Sequence, residues 1–468
     1  MFRPLLLAAT MLGSPALAAE IPQAPPSDIA LGHVILKELV ETNTTHVFGS
    51  SVAAHALEAR LIAAGYSRKD VVFLAPADHP TKGNLVVRVR GRDHGLKPVM
   101  FIGHLDVVEA RPEDWSVDPF KLTLKDGYFY GRGSMDMKDG DAVLAESLIR
   151  LKREGWAPDR DLIFAFTADE EAGGDANGPA FLLHSHRDMV DAGVVINFDG
   201  GGGELRQGKP FVYGVDTGEK VYLTFHVEAT SPGGHGSLPI PGNPIDRISA
   251  GLVRLAAYHF PVMTTQTTRA GFAFQATLEQ GSRRDDLLAV AHEPPDPAAA
   301  ERLSREVGYN AELRTTCVPT LISGGHAENA LPQRAQATIQ CRMMPSDNAA
   351  DVETRIRTAL ADPGIALRVE VSAIQAPESP LQPAVMNRIE TVVHTLWPGV
   401  PVVPAMATGF SDGRQFRGAG MATYSAGGEW FEEGENRAHG RDERVSVRSF
   451  DQNLEYAYLL VKAFGRGD

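Results

Sequence analysis

Two histidines and several carboxylates in this sequence have the types and positions expected of metal ligands. His104 and Asp106 come directly after the apolar run 99–103, and Asp136 follows within the segment 131–138. The remaining candidates are Glu170, Glu171, Asp199 and His439. Imidazole nitrogen and carboxylate oxygen are ligands that zinc prefers in proteins. Two imidazoles and three or four carboxylates therefore predict the site of a two-zinc hydrolase.

The elements that would position these side chains alternate between buried strands and helices. Apolar runs typical of buried strands cover residues 98–103, 161–168 and 194–198, and a helical pattern covers residues 142–151. This alternation predicts an α/β fold with a mainly parallel sheet that is covered by helices. Functional residues in such sheets gather beyond the carboxyl ends of the strands. Four of the candidate ligands directly follow a predicted strand end, so we expect one edge of the sheet to collect them.

The middle of the chain has a different order of elements. Its patterns predict the order β-α-β-β-α-β of a small two-layer domain, over residues 220–228, 243–258, 315–323, 335–343, 349–360 and 366–372. Residues 261–314 form a long excursion within it. We predict an inserted lid, because His439 has to rejoin the other ligands. The predicted regions are a signal peptide (1–19), the first segment of the catalytic domain (20–218), the inserted lid or dimerisation domain (219–375) and the second segment of the catalytic domain (376–468).

The first 19 residues have the three-part pattern of a secretory signal peptide. Arg3 precedes the apolar run 5–12, and small residues at 16–19 suit a signal peptidase. The run is short of the roughly 20 apolar residues that span a bilayer, so we expect a periplasmic or secreted protein with no stable membrane anchor. The formal net charge of -14 argues against a nucleic acid as partner.

The sequence contains only two cysteines, Cys317 and Cys341. This number excludes a disulfide-dense scaffold and a four-thiolate zinc site. If the hairpin of the two predicted strands is centred on Asn329, the cysteines lie opposite each other at a separation that a disulfide can span. An exported protein could oxidise them, while a pair of small buried apolar residues fits the same positions. The sequence leaves both interpretations open.

Five segments in a fixed order carry a resemblance to a known family. They are GHLD (103–106), GRGSMDMK (131–138), DEE (169–171), SPGGHGS (231–237) and NALP (329–332). Together they resemble the zinc aminoacylase and carboxypeptidase family, which includes glutamate carboxypeptidase, acetylornithine deacetylase and succinyl-diaminopimelate desuccinylase. The resemblance runs from about residue 30 to the C-terminus. Each motif alone is weakly specific, whereas five in sequence are strongly so.

The resemblance implies two zinc ions per subunit, for which Co²⁺ or Mn²⁺ could substitute. Asp136 would bridge the two ions. His104 and Asp199 would complete one site, and Glu171 and His439 would complete the other. A carboxylate can bridge two ions where an imidazole cannot, which explains why an aspartate is expected at the shared position.

Two further carboxylates have roles beside the metal ligands. Asp106 would be the carboxylate that fixes the tautomer of the His104 imidazole. Glu170 would be the general base that takes a proton from the metal-bridging water and later delivers it to the leaving amine. An isolated pair of glutamates is usually part of a solvated loop, but the surrounding motifs favour the catalytic interpretation.

The resemblance also assigns residues that recognise the substrate. His235 would stabilise the oxyanion, often from the neighbouring subunit of a homodimer. Asn329 and Arg342 would hold the free carboxylate of the substrate, a task that suits the planar guanidinium. The backbone amides of Gly427 and Gly428 would approach the same carboxylate. Closure of the lid would complete the site and exclude water.

We therefore predict an exported di-zinc metallo-carboxypeptidase, dipeptidase or aminoacylase. It would cleave the amide bond of a C-terminal amino acid in peptides or of N-acyl amino acids. A biosynthetic-type deacetylase or desuccinylase is an alternative in the same class. A non-catalytic solute-binding protein is an alternative of another class, and Glu170 argues against it because a binding module needs no base beside a metal. The sequence leaves the acyl and side-chain preference open.

Overall fold

The computed structural model describes residues 21–172, 174, 176–370, 374 and 376–467. The predicted signal peptide and the predicted lid boundary at residue 375 lie outside the described residues. The strands are β1 (Val71–Leu74), β2 (Asn84–Val89), β3 (Val99–His104), β4 (Thr123–Lys125), β5 (Tyr128–Tyr130), β6 (Leu162–Thr167), β7 (Val194–Asn197), β8 (Gly202–Arg206), β9 (Lys209–Glu219), β10 (Val221–Thr230), β11 (Gly234–His235), β12 (Thr316–Gly324), β13 (Ala330–Leu331), β14 (Arg334–Met343), β15 (Ala366–Val369), β16 (Val402–Ala407), β17 (Ala422–Ser425), β18 (Trp430–Glu432) and β19 (Arg444–Ser446).

The helices alternate with these strands in both halves of the chain. They are α1 (Pro26–Glu41), α2 (Ser51–Ala63), α3 (Lys138–Arg153), α4 (Gly178–Ser185), α5 (Arg187–Val190), α6 (Pro244–Ala256), α7 (Gln266–Leu278), α8 (Gly281–Val290), α9 (Pro297–Leu303), α10 (Val307–Leu313), α11 (Ala349–Leu360), α12 (Pro383–Leu396), α13 (Gly413–Gly418) and α14 (Val447–Gly465). A 3₁₀ helix covers Pro112–Asp114. Among the described residues, no helix combines the length and the apolar character needed to cross a membrane.

The central sheet runs in the order β1-β2-β6-β3-β7-β17-β9-β8-β18, with β16 paired to β9. Its middle pairs, from β6 through β3 and β7 to β17, are parallel. Alternate residues of β3 face two separate cores, because Phe101 packs with α1, α3 and α14, whereas Met100 and Ile102 pack with α4 and α13. A strand that is buried on both faces reads as a continuous apolar run. The predicted mainly parallel sheet with helices on both faces is confirmed.

The lid is a second, antiparallel sheet with its own core. Its strand order is β12-β14-β10-β15, and α6 and α11 pack on one face of it around a separate apolar cluster. The elements follow the predicted order β-α-β-β-α-β. The excursion after α6 folds as helices α7 to α10 around a further small cluster, and α7 packs beside β16 of the central sheet. The lid therefore contacts the catalytic domain through this helical segment.

The hairpin of β12 and β14 decides between the two interpretations of the cysteines. Its register places Cys317 directly opposite Cys341, and the two sulfur atoms form a disulfide. The pair is therefore a covalent link across the lid sheet, as the hairpin centred on Asn329 allowed.

Candidate metal centre

The carboxyl edge of the central sheet brings the predicted metal ligands together. His104 is the last residue of β3, and Glu171 and Asp199 lie in the loops that follow β6 and β7. Asp136 lies two residues before α3, and His439 lies in the loop between β18 and β19. Ligand atoms of these residues fall into groups that could each hold a metal ion. Parallel strands end at one edge, so residues that are far apart in sequence meet there.

The carboxylate of Asp136 lies between the two imidazoles. Its Oδ1 is 3.2 Å from Nε2 of His104, and its Oδ2 is 3.2 Å from Nε2 of His439. Asp199 Oδ2 lies 3.9 Å from the first imidazole nitrogen, and Glu171 Oε2 lies 2.9 Å from the second. Two groups that share Asp136 result, one with His104 and Asp199 and the other with Glu171 and His439. This geometry suits a carboxylate that bridges two ions.

The charges of the cluster also fit cations. Burial raises the pKa of the Asp199 carboxyl well above its usual range, and the nearby Asp136 and Glu171 raise it further, against the opposing charge of His104. Hydrogen bonds with Asp136 and Glu171 raise the pKa of the His439 imidazole to about 10. Closely packed carboxylates repel one another, and divalent cations relieve that repulsion. The donor set of imidazole nitrogen and carboxylate oxygen matches zinc.

Asp106 contacts its predicted neighbours through different atoms from those expected. Nδ1 of His104 lies 3.0 Å from the backbone carbonyl oxygen of Asp106, whereas the Asp106 carboxylate is 3.8 Å from that nitrogen. The carbonyl therefore accepts from Nδ1 and leaves Nε2 to face Asp136. The Asp106 carboxylate instead accepts hydrogen bonds from the backbone amides of Glu170 and Glu171, each at 3.0 Å. The prediction that this carboxylate fixes the imidazole is corrected, because it fixes the glutamate turn.

Glu170 is buried beside the predicted ligands and has an unused oxygen. Its Oε1 has no hydrogen-bond partner among the described residues. Burial raises the pKa of its carboxyl well above the usual range, and the charges of Asp199 and Asp412 raise it further, while His104 lowers it. Glu170 also forms a possible metal-holding group with His104 and Glu171. Glu170 therefore has a buried oxygen whose hydrogen-bonding capacity no described protein group uses.

A buried ion pair that was not predicted from the sequence connects Asp136 to the loop that contains His439. The guanidinium of Arg132 pairs with the Glu443 carboxylate and also donates to the carbonyl oxygen of Gly440 at 3.1 Å. Oε1 of Glu443 accepts from the backbone amide of Asp136 at 3.1 Å. This arrangement links two ligands that are about 300 residues apart in the chain. Arg132 lies in the motif 131–138, but its partner is not evident from the sequence.

A second missed ion pair supports the turn that carries the glutamates. Asp169 has a φ of 60°, which is the left-handed region that few non-glycine residues adopt. Its carboxylate pairs with the ammonium group of Lys82, and both side chains are buried. The same ammonium donates to the carbonyl oxygen of His46 at 2.8 Å. These contacts hold an unfavourable backbone conformation directly before Glu170.

The predicted lid residues occupy two different places. His235 and Asn329 are exposed near the far end of the lid, where β11 pairs with β13 and the Gly236 amide donates to the Asn329 carbonyl oxygen at 2.8 Å. Within the described residues, no hydrogen bond or ion pair joins either of them to the metal ligands. Arg342 instead lies next to the catalytic domain, with its guanidinium 5.6 Å from the ring of Phe410.

Gly427 and Gly428, whose amides were predicted to approach the substrate carboxylate, have different surroundings in the structure. The amide of Gly427 already donates to the carbonyl oxygen of Gly200 at 3.0 Å, so it is not free to bind a substrate carboxylate as predicted. A Cβ atom at Gly428 would lie 2.2 Å from Asn453 Oδ1 and 2.3 Å from the ring of Tyr456. Glycine is required at position 428 because α14 packs closely against this backbone.

The sequence matches known proteins over most of its length. The family model of peptidase family M20/M25/M40 matches residues 100–463. The chain is 28% identical over 401 residues to a probable carboxypeptidase S-like 2 of Dictyostelium discoideum, covering 81% of this chain and 74% of that protein. It is 27% identical over 388 residues to the N-fatty-acyl-amino acid synthase/hydrolase PM20D1 of Xenopus tropicalis, covering 80% of this chain and 74% of that protein.

Solved structures with low sequence identity share the fold. The M20 family metallo-carboxypeptidase Sso-CP2 of Sulfolobus solfataricus superimposes with a TM-score of 0.67 at 16% identity, covering 93% of this chain and 99% of that chain. Human carnosine dipeptidase 1 superimposes with a TM-score of 0.64 at 15% identity, covering 95% of this chain and 100% of that chain. The arrangement of a sheet domain with an inserted lid is therefore common to these proteins and to this chain.

Proposed function

Because this chain belongs to peptidase family M20/M25/M40, we propose that it is an exported di-zinc amidohydrolase that releases a free amino acid from peptides or from N-acyl amino acids. The observation that carries the proposal is the carboxylate of Asp136, whose two oxygens face His104 and His439 separately beside the unused oxygen of Glu170. The names of the matched relatives support both substrate types, since they include a probable carboxypeptidase S-like protein and an N-fatty-acyl-amino acid synthase/hydrolase.

The residues that would hold the two ions are those of the two groups that share Asp136. His104 and Asp199 would hold one ion, and Glu171 and His439 would hold the other. Zinc bound there would supply Lewis acidity for the substrate carbonyl and for the attacking water. The protein contributes by fixing the ligands, and the carbonyl of Asp106 does so by accepting from Nδ1 of His104.

Glu170 would act as the general base and then as the general acid. Its Oε1 has no protein partner among the described residues, so it can accept a proton from the attacking water and pass it to the leaving nitrogen. The Asp106 carboxylate holds the backbone amides of Glu170 and Glu171 at 3.0 Å each. This double contact keeps the base oriented through both proton transfers. General acid–base catalysis of this kind contributes about two to four powers of ten to the rate.

The disulfide supports the proposed export. Cys317 and Cys341 are paired within the lid, and disulfides persist mainly in oxidising compartments such as the periplasm. N-terminal sequencing of the protein recovered from the producing cell tests this aspect of the proposal. A mature N-terminus near residue 19 or 20 is expected, whereas a retained Met1 would contradict export by a cleaved signal peptide.

The exposed edge of the lid supports a homodimer. β12 pairs only with β14 among the described strands, and its apolar residues Val318, Leu321 and Ile322 are exposed. An exposed, apolar edge strand is a template for pairing with another chain. His235 makes no contact with its own metal centre among the described residues, so a dimer would let it serve the partner subunit. Mixing a His235→Ala chain with a Glu170→Gln chain should then restore some of the activity, and no recovery at any ratio would favour a monomer.

Mass spectrometry of released amino acids tests the function itself. The zinc-loaded protein is incubated with a pool of dipeptides, short-chain N-acyl amino acids and long-chain N-acyl amino acids. We expect release that shows which of these groups is preferred. No release from any member, with two zinc ions bound per chain, would refute the hydrolase and favour a binding protein.

Substitutions at the two adjacent glutamates distinguish the proposed base from a proposed metal ligand. Glu170→Gln should retain two zinc ions and lose turnover, because it removes a proton acceptor. Glu171→Gln should lose zinc, because it removes a ligand that lies 2.9 Å from the His439 nitrogen. Loss of zinc from Glu170→Gln would instead make Glu170 a ligand and would remove it as the base.

A further inference from the structure

Two arginines meet at the boundary between the lid and the catalytic domain. Arg342 belongs to β14 of the lid, and Arg414 belongs to α13 of the catalytic domain. Both guanidiniums lie over the ring of Phe410, at 5.6 Å and 4.0 Å from its centroid. The guanidinium of Arg342 is also 4.9 Å from the ring of Tyr222, and the two rings touch edge to face at 5.9 Å. Aromatic rings from both domains, Tyr222 and Phe410, therefore contact these two cations at the domain boundary.

These two cations lack a protein counterion. Across the described residues of the chain, neither guanidinium forms an ion pair or a hydrogen bond with a carboxylate. Nη1 of Arg342 and Nε of Arg414 are buried and have no partner there. Burial lowers the pKa of the Arg342 guanidinium, and the charge of Arg414 lowers it further, while Tyr222 opposes this. Arginine remains charged in such surroundings, so two positive charges stand close together without neutralisation.

The nearest candidate counterion on the same segment is already occupied. Asp412 lies two residues before Arg414, and its Oδ2 accepts from the Thr167 hydroxyl at 2.6 Å. Its Oδ1 accepts from the side-chain amide of Asn177 at 3.0 Å. Thr167 is the last residue of β6 and lies three residues before Glu170, so this contact places the Asp412 segment beside the loop that carries the predicted base. Arg414 follows Asp412 by two residues and therefore lies near that loop, so a bound substrate is the candidate counterion for the two arginines.

We propose that Arg342 and Arg414 form a subsite for two carboxylates of one substrate, so that the preferred substrate is dicarboxylic. This inference rests on the proposed function. A single carboxylate could accept from both guanidiniums, but its one negative charge would leave the half-buried pair with a net positive charge, which is unfavourable. Two carboxylates give each guanidinium its own charged hydrogen-bond acceptor. Because the arginines belong to different domains, such a ligand would also link the lid to the catalytic domain.

The second carboxylate could belong to either half of the substrate. It could be the acidic side chain of the released amino acid, or it could be the free end of a dicarboxylic acyl group. Matched substrates separate these sources. N-acetylglutamate is compared with N-acetylglutamine, and N-succinyl-leucine is compared with N-butyryl-leucine. Each pair differs at the second carboxylate and is otherwise similar in size.

Steady-state kinetics on these pairs tests the subsite. The wild type should show a kcat/KM at least about tenfold higher for the dicarboxylic member of one pair, which is the size expected from a charge-assisted hydrogen bond. Arg414→Gln should remove most of this preference, mainly through KM. Arg206→Gln is the matched control, because Arg206 stacks on Phe211 at 3.6 Å but is paired with Glu204 at 2.8 Å. The control should keep the preference.

Two results would overturn the subsite. The first is equal kcat/KM within both pairs in the wild type. The second is an Arg414→Gln variant that lowers kcat/KM equally for all four substrates, since that would make Arg414 a support of the fold or of the α-carboxylate alone.

A binding measurement distinguishes failure of this inference from failure of the proposed function. Calorimetric titration of the Glu170→Gln protein with N-acetylglutamate and N-acetylglutamine, and with the succinyl and butyryl pair, needs no turnover. Tighter binding of one dicarboxylic member, lost in the Glu170→Gln/Arg414→Gln double variant, would support the subsite even if no substrate is hydrolysed. Equal binding within both pairs would refute it even if hydrolysis is observed.

Discussion

Glu146 makes the stability of the catalytic domain depend on pH. It lies on α3, its side chain is fully buried, and neither carboxylate oxygen has a partner among the described residues. The nearby cations are engaged elsewhere, since Arg150 pairs with Glu455 at 2.7 Å and Arg153 pairs with Asp28 at 2.8 Å. Burial raises the pKa of the Glu146 carboxyl from 4.5 to about 8, and the charge of Asp28 adds to this rise. Glu146 is therefore neutral in the folded protein at pH 7.

The sign and the size of the effect follow from linkage. A carboxyl whose pKa is higher in the folded than in the unfolded state stabilises the fold fully below pH 4.5, and this stabilisation is lost as the pH rises to about 8. At about 1.4 kcal/mol per pH unit, the total loss is about 5 kcal/mol. Glu146→Gln keeps the shape of the side chain and removes the titration. Between about pH 5.5 and pH 8, the wild type should thus lose about 3 kcal/mol relative to the variant.

Urea unfolding followed by tryptophan fluorescence measures this difference. All four tryptophans lie outside the lid, at Trp115, Trp156, Trp397 and Trp430, so the signal reports the domain that contains Glu146. The free energy of unfolding is extrapolated to water at both pH values for each protein. Glu390→Gln is the control, because Glu390 is exposed on α12, and it should follow the wild type. A difference between wild type and Glu146→Gln that is the same at both pH values would refute a neutral, buried Glu146.

Three further predictions concern the site and the lid. Lys82→Met should lower the free energy of unfolding by up to about 3–5 kcal/mol, because it removes the buried ammonium and leaves the Asp169 carboxylate with the exposed His46 imidazole, 3.0 Å away, as its remaining ion-pair partner among the described residues, and it should lower kcat by disturbing the glutamate turn; an unchanged urea midpoint and kcat would contradict this. Cys317→Ser should destabilise the lid by about 3 kcal/mol, given a sequence separation of 24 residues in the disulfide, and hydrogen exchange in β14 that stays as slow as in the wild type would argue against it. Removal of metal by a chelator should abolish turnover and lower the thermal midpoint, because Asp136 and Asp199 then repel each other, and added zinc should restore both; activity that survives with no metal detected would rule out the metal-dependent reaction.

The strands that carry the candidate ligands could be predicted from the sequence, because the apolar pattern of each strand lies within a few consecutive residues. β3 is apolar up to its last residue, the candidate ligand His104, and β6 is apolar up to Thr167, three residues before Glu170. The order of lid elements was predicted for the same reason, since each strand and helix has its own period of apolar residues. The disulfide depends on the register of one hairpin, which is set by β12 and β14 alone and does not require contacts with distant segments.

Contacts between distant segments could not be predicted in this way. The pairs of Lys82 with Asp169 and of Arg132 with Glu443 join residues that are 87 and 311 positions apart. No local period marks a lysine or an arginine as the partner of a particular carboxylate. The atom that Asp106 offers to His104 was also missed, because residue type does not tell whether a carbonyl or a carboxylate faces a neighbour.

From the sequence we predicted which side chains could hold metal, which glutamate would act as the base, and at which strand ends these residues lie. These are consequences of side-chain chemistry and of apolar periodicity, and both are properties of short segments. The folded chain was needed to show that the two oxygens of Asp136 face different imidazoles and that Arg342 and Arg414 both contact the ring of Phe410. Such relations depend on the packing of elements that are remote in the chain, because packing sets the orientation of each side chain.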